Sequence, residues 1–248
     1  MEHPEILLID KPSGMTSFDV VYKVRRTLNP KPKKDEVSSN SEPWVRLRVG
    51  HAGTLDPLAT GLMIIGIGKG TKKLTELVKL DKEYIAEVRI GEQRTTGDLE
   101  GDIIQEKDTE SIPAEEVASA VASLVGIIRL PVSAYSAIKI DGKPMYKRAR
   151  EAEKTGEVVT DVPMRDMVVH EAEIVNIKNI IIRDSEEPEK KRVVVTVRFF
   201  VASGVYIRSL GEELGKRLGY PATLQNLQRT KVGDFSIENA QSLDELVN

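Results

Sequence analysis

The stretch Gly50-His51-Ala52-Gly53-Thr54-Leu55-Asp56-Pro57-Leu58-Ala59-Thr60-Gly61 decides how the rest of the chain is read. Three glycines, one proline and one carboxylate within twelve residues exclude a buried helix or strand, so the segment is a shaped loop that feeds the apolar run Leu62 to Ile67. Pro57 biases Asp56 toward extended geometry, and the flanking glycines permit turns that side chains would forbid. Asp56 is therefore presented by the loop. In an arbitrary protein such an aspartate makes a local turn hydrogen bond; the glycines and His51 around it favour a functional reading here.

Working outward, Ile6 to Ile9 reads as a short buried strand and Asp10 to Gly14 as a turn. A helix follows, capped by Thr16 or Ser17, with Val20, Val21, Val24 and Leu28 as its apolar stripe. Residues 29–45 are polar and proline-punctuated and read as a mobile insertion. Beyond the loop, the pattern predicts a strand over 62–67, a helix over 71–79 and a strand over 83–90 that turns Tyr84, Ala86, Val88 and Ile90 to one face. Helices are predicted over 113–125, 144–154 and 206–218, and strands over 134–140, 171–182, 192–201 and 231–237. A terminal helix is predicted from Ser242. Strands in series with irregularly inserted helices imply an α+β fold with a largely antiparallel mixed sheet.

With 248 residues and 40% hydrophobic content, the chain can bury a large core, in keeping with one domain carrying one insertion. The absence of cysteine excludes disulfides, thiolate zinc sites and cysteine nucleophiles. An acidic start and the lack of a long apolar run predict neither signal peptide nor membrane span, and the expected location is the cytoplasm. The net charge of −3 is unfavourable to bulk nucleic-acid affinity, but cations cluster locally. Arg129, Lys139, Lys143, Lys147, Arg148 and Arg150 interleave with Tyr135 and Tyr146, the composition of an RNA-facing surface or of a solvated basic helix. Further basic groups are Arg25 with Arg26, Arg46 with Arg48, and Lys69, Lys72 and Lys73. The run Gly66-Ile67-Gly68-Lys69-Gly70-Thr71 fits no register of a phosphate loop.

An ionised carboxylate used as a nucleophile in a poorly hydrated pocket needs a neighbouring cation. Arg208, where a helix begins and the dipole gives an arginine nothing, is the candidate; its alternative is an exposed pair with Glu212.

The run from Gly50 to Leu62 resembles the signature loop of the TruB family, the bacterial tRNA pseudouridine-55 synthases. Asp10 to Ser17, Lys82-Glu83-Tyr84, Thr96 to Gly101, Pro131 to Arg150, Gly204 to Ser209 and Leu227 to Gly233 resemble further motifs of that family, so the resemblance covers nearly the whole chain. It implies a pseudouridine synthase fold over 1–248, with an RNA-binding, thumb-like segment at about 95–155; the C-terminal PUA domain into which many members of that family continue is expected to be lacking, a departure from the family pattern. It also implies isomerisation of the T-arm uridine U55 of tRNA without cofactor or metal, by a monomer that flips the base out. By the same resemblance Asp56 is the nucleophile, Arg208 and Tyr84 complete the catalytic set, and Tyr84 stacks on the base. His51 holds the rearranged RNA open, Lys11 and Leu227 shape the pocket, and Thr54, Lys139, Arg148 and Arg229 bind RNA. The alternatives are a guide-RNA-dependent synthase and a tRNA-folding module with secondary catalysis.

Overall fold

An apolar run makes Ile6–Lys11 the first strand, β1, in a computed structural model that describes residues 3–31, 44–136, 138–140, 142–154, 161–182 and 189–246. Thr16 starts helix α1 (Ser17–Leu28) through a capping box: its hydroxyl accepts from Asp19 N, and the Asp19 carboxylate accepts from Thr16 N. Val20, Val21 and Val24 are the buried stripe of α1. Strands β2 (Val49–His51) and β3 (Thr60–Ile67) flank the central loop. The helix expected over 71–79 is instead a 3-10 helix, Gly68–Lys73, followed by one turn, α2 (Leu74–Leu77). Gly70, within the 3-10 turn, lies so close to the start of β1 that a Cβ there would meet Glu5 O at 1.9 Å, so the turn packs on β1 only with glycine at this position.

Strand β4 (Lys82–Ile90) buries alternate residues from Lys82 to Ile90, as its period-two pattern predicts. Short strands β5 (Glu92–Arg94) and β6 (Ile103–Glu106) form a hairpin, and helix α3 (Ala114–Ala122) follows Pro113. Strand β7 (Gly126–Pro131) comes next. Of the strand expected over 134–140 only β8 (Lys139–Ile140) forms, paired with β9 (Lys143–Pro144) ahead of helix α4 (Met145–Glu153). The long strands β10 (Met164–Ile182) and β11 (Lys190–Val201) pair antiparallel, as expected, but β10 starts earlier because residues 164–169 pair with β7. Helix α5 (Ile207–Leu218) ends at Gly219 in the left-handed region.

Strand β12 (Ala222–Val232) turns at Gly233 into β13 (Phe235–Ser236). The helix expected from Ser242 is replaced by β14 (Gln241–Ser242), which pairs parallel with β1, and a turn in which Ser242 and Glu245 exchange hydrogen bonds. The expected insertion at 29–45 falls mostly outside the described residues, as do residues 183–188 between β10 and β11. Among the described residues no helix is long and apolar enough to cross a membrane.

The chain divides into two compact units. In the first, Met1–Lys82 with Gln228–Asn248, the strands run β14, β1, β3 and the end of β12, with β2 against β3. Strands β1 and β3 pair antiparallel from Ile6 opposite Gly66 to Lys11 opposite Gly61. Ala52, Leu62, Ile64 and Val232 are the fully buried centre of an apolar cluster that Leu74, Leu77, Leu80 and Phe235 cover. In the second, Glu83–Leu227, the order is the start of β12, then β4, β11, β10 and β7. Val88, Val193, Val195, Val197, Phe199, Leu210 and Leu214 are buried there. The architecture is the α+β class expected, a mixed, largely antiparallel sheet with helices.

Candidate active site

Loop 50–61 is held in the first unit by side chains that bond to its backbone. Lys11, fully buried at the end of β1, donates from Nζ to Pro12 O (2.9 Å), Met15 O (2.6 Å) and Pro57 O (3.1 Å). Arg229, 1% exposed on β12, donates from Nε to Leu62 O (2.8 Å) and from Nη2 to Gly53 O (3.2 Å). Two buried cations thus grip the main chain on either side of Asp56, one at Gly53 and the other at Pro57. Buried charges are costly unless their donors are met, and carbonyl oxygens aimed at them meet that need.

The turn after β1 closes over the same loop. Gly14 N donates to Pro57 O (2.8 Å) and Ser13 Oγ to Leu58 O (3.1 Å). Ser17 Oγ accepts from Leu55 N (2.8 Å) and donates to Leu55 O (3.0 Å). Within the loop, Ala59 N donates to Asp56 O at 3.1 Å. Gly53 and Gly61 have φ of 103° and 105°, and a Cβ on Gly61 would meet Arg229 O at 2.3 Å. Glycine is needed there for both conformation and space. Asp56 is half-buried and Thr54 exposed. Burial pushes the His51 imidazole below its ordinary value; a backbone contact at Gly53 partly offsets this, and the Arg229 charge adds to it. His51 is therefore neutral at neutral pH.

The second unit holds Tyr84, Arg208, Leu227, Lys139 and Arg148. Tyr84 is 8% exposed and lies on the buried face of β4, one residue after Glu83. Arg208, in the first turn of α5, is 5% exposed, which replaces the expected alternative of an exposed pair with Glu212. Its Nη1 donates to Thr96 O (2.9 Å) and its Nη2 to Tyr135 O (3.2 Å), while its Nε stands 3.8 Å from the buried Asp98 carboxylate. Asp98 itself accepts from Thr96 Oγ1 (2.6 Å) and Glu100 N (3.1 Å). Burial pushes the Glu212 carboxyl up, and the Gln93 amide and the Arg208 charge only partly offset it. Leu227 is buried, Lys139 is exposed on β8, and Arg148 is half-buried on α4.

The structure thus brings Lys11, His51, Thr54, Asp56 and Arg229 to one loop and its supports. It places Tyr84, Arg208, Leu227, Lys139 and Arg148 on separate elements of the other unit. Residue patterns offered Ser17 only as a helix cap, not as the latch on Leu55, and gave no role to Asp98, which partners Arg208. Both lie in segments whose motif resemblance was legible, 10–17 and 96–101. Among the described residues no three histidine, aspartate or glutamate side chains are grouped to hold a metal ion.

Comparison with known proteins adds to this geometry. The family description "TruB family pseudouridylate synthase (N terminal domain)" matches residues 42–207. A tRNA pseudouridine synthase B of Corynebacterium efficiens is 39% identical over 99% of this chain and 73% of its own length. That of Thermobifida fusca is 36% identical over 97% of this chain and 73% of its own length. Among solved structures, an archaeal box H/ACA Nop10–Cbf5 complex matches with TM-score 0.60 at 23% identity, over 98% of this chain and 52% of that one. A Cbf5–Nop10–Gar1 complex matches with TM-score 0.63 at 24% identity, over 98% and 53%. The chain spans about half the length of these two solved chains, and the likeness is one of fold.

Proposed function

Because the chain belongs to the TruB family of pseudouridine synthases, we propose that it isomerises one uridine of tRNA, U55 of the T arm, with Asp56 as the nucleophile. The observation that carries the reading is the double grip on the Asp56 loop, where Arg229 holds Gly53 O and Lys11 holds Pro57 O. Such a grip positions a reacting carboxylate before the substrate arrives, so the ordering cost is met in folding.

In the proposed reaction the Asp56 carboxylate forms one bond to the target nucleotide, and the electrons of the N1–C1′ bond pass to the uracil. The ring turns in place, C5 bonds to C1′, the proton on C5 is lost, N1 gains one, and the carboxylate is released unchanged. Substrate and product have the same atoms, so no group donor is required. Extracting the uridine from its stack costs about a few kcal/mol, and stacking on Tyr84, at about 1–3 kcal/mol per base, offsets much of it. Arg208 is the cation proposed to act on the reacting nucleotide, and its bonds to Thr96 O and Tyr135 O fix its direction. Neutral His51 is suited to keep the opened RNA apart by contact rather than by charge. Leu227 and Lys11 shape the pocket, Thr54 contacts the RNA, Arg229 serves RNA binding from beneath by holding Gly53 and Leu62 in place, and the 95–155 segment, with Lys139 and Arg148, takes the phosphate backbone.

The test is nucleotide-resolution mapping of pseudouridine in an unmodified tRNA transcript incubated with the wild-type chain. A single product at the T-arm uridine, lost when that uridine is replaced by cytidine, is the expected outcome. Product elsewhere, or none from folded protein, refutes the assignment.

A further inference from the structure

Helix α1 presents rings rather than the usual charged surface on its outer side. Phe18, Tyr22 and Arg26 recur every fourth residue and so lie along one face, with Phe18 65% and Tyr22 53% exposed. Trp44 is 40% exposed, and it and Tyr22 line an open cavity of about 530 Å³ with Arg25, Arg26, Lys31 and Arg46. Among the described residues no carboxylate lines this cavity. Asn29 Oδ1 accepts from Leu47 N at 3.2 Å, which fastens the segment bearing Trp44 and Arg46 to the end of α1.

Arg25 Nη2 donates to Val49 O at 3.1 Å, in the strand that leads into loop 50–61. Its Nε and Nη1 are buried without a hydrogen-bond partner among the described residues. Burial and the charge of Arg46 both hold the Arg25 guanidinium below its ordinary value. Attraction to the helix dipole accounts for Arg25 and Arg26 in the last turn, but not for Arg46, Lys31 or two exposed rings beside them. Four cations that repel one another around aromatic faces suit a ligand with both a negative charge and a flat ring.

We propose that this face is a second RNA-contact site, in which an unpaired base of the substrate RNA stacks on Trp44 and Tyr22 while Arg26 and Arg46 hold the flanking phosphates. The proposal rests on the reading that the substrate is tRNA. It extends the RNA footprint to a part of the first unit that no catalytic role uses.

Trp44 is the only tryptophan of the chain, so its fluorescence reports on this face alone. The full chain is titrated with unmodified tRNA transcript, with uridine monophosphate and with inorganic phosphate; binding by filter retention and pseudouridine formation are measured in parallel. Saturable quenching by tRNA is expected over the same concentrations as retention, with no comparable quenching by the two small ligands. The dissociation constant should rise at least about tenfold in Trp44→Ala and in Arg26→Ala/Arg46→Ala, and stay within about threefold of wild type in Trp44→Phe. The double arginine variant should also lower the slope of log K against log salt by about 1.5–2. A control, Lys178→Ala/Lys216→Ala, removes two exposed cations of the other unit and should shift binding by less than about threefold.

If tRNA is bound and modified while Trp44 stays silent, or if the control loses as much affinity as the arginine variant, the proposal is overturned; the face is then left for a protein partner. Quenching by uridine monophosphate at the same concentrations as tRNA overturns it in favour of a free-nucleotide site. Absence of both binding and modification refutes the tRNA reading and this proposal with it.

Discussion

Replacing Gly61 by alanine tests whether the Asp56 loop is locked to β12 as tightly as the geometry requires. At φ 105° an alanine is strained by about 1–2 kcal/mol. Its Cβ would stand 2.3 Å from Arg229 O and 2.7 Å from Arg229 N, where ordinary contact begins at 3.4 Å. Relief requires β3 and β12 to part by about 1 Å at the Gly61–Arg229 and Gln228–Thr60 pairs, which weakens ladder bonds worth about 1 kcal/mol each. The sum is about 3–5 kcal/mol, a large share of a typical domain's stability. Gly14 provides the control, since its φ of 83° carries similar strain but a Cβ there meets nothing within 4 Å. Urea denaturation followed by circular dichroism should place Gly61→Ala at least about 2 kcal/mol below Gly14→Ala. Equal loss in the two variants would show that the close approach of the backbones contributes nothing.

Two further outcomes follow from buried charges. Lys82, 5% exposed and bonded to Val78 O and Leu80 O, has its pKa lowered from 10.5 to about 8, first by burial and then by the Arg229 charge. Above pH 8 the folded chain gives up this proton before the unfolded chain does, so stability relative to a Lys82→Met variant should rise by about 1–3 kcal/mol between pH 8 and 10. Parallel pH curves for the two proteins would refute the burial of a charged Lys82. Asp98→Asn removes the carboxylate opposite buried Arg208, and loss of one partner of such a pair costs about 3–5 kcal/mol. The same variant should lower kcat/KM because Arg208 loses one of the groups that aim it; unchanged stability and activity would show that the two carbonyls suffice.

The chain advertises its elements where pattern and packing agree. Strand β4 shows clean alternation, and the Thr16–Asp19 capping box marks the start of α1. The structure departs from the pattern where charges point inward. β1 runs on to Lys11, whose full burial no hydropathy pattern announces, and β12 has buried Arg229 among polar neighbours and so lacks a strand's alternation. β7 was hidden for the opposite reason, since it exposes most of its residues, Ile127 at 74% among them. The 3-10 turn at Gly68–Lys73 brings Gly70 against Glu5, a contact distant in sequence. Asp56 was legible because its loop is built of conformationally special residues, whereas the grip of Lys11 and Arg229 on the carbonyls around it exists only in three dimensions. Arg208 was singled out for its charge where a helix begins, but its buried partner Asp98 lies 110 positions earlier in the sequence.

The central claim is that Asp56 is the nucleophile, and the most direct measurement compares wild type with Asp56→Asn on the same tRNA transcript under single-turnover conditions. The account predicts that the variant folds and binds the transcript, and that its rate of pseudouridine formation falls by more than about a thousandfold. A folded Asp56→Asn protein that forms pseudouridine within tenfold of the wild-type rate would contradict it.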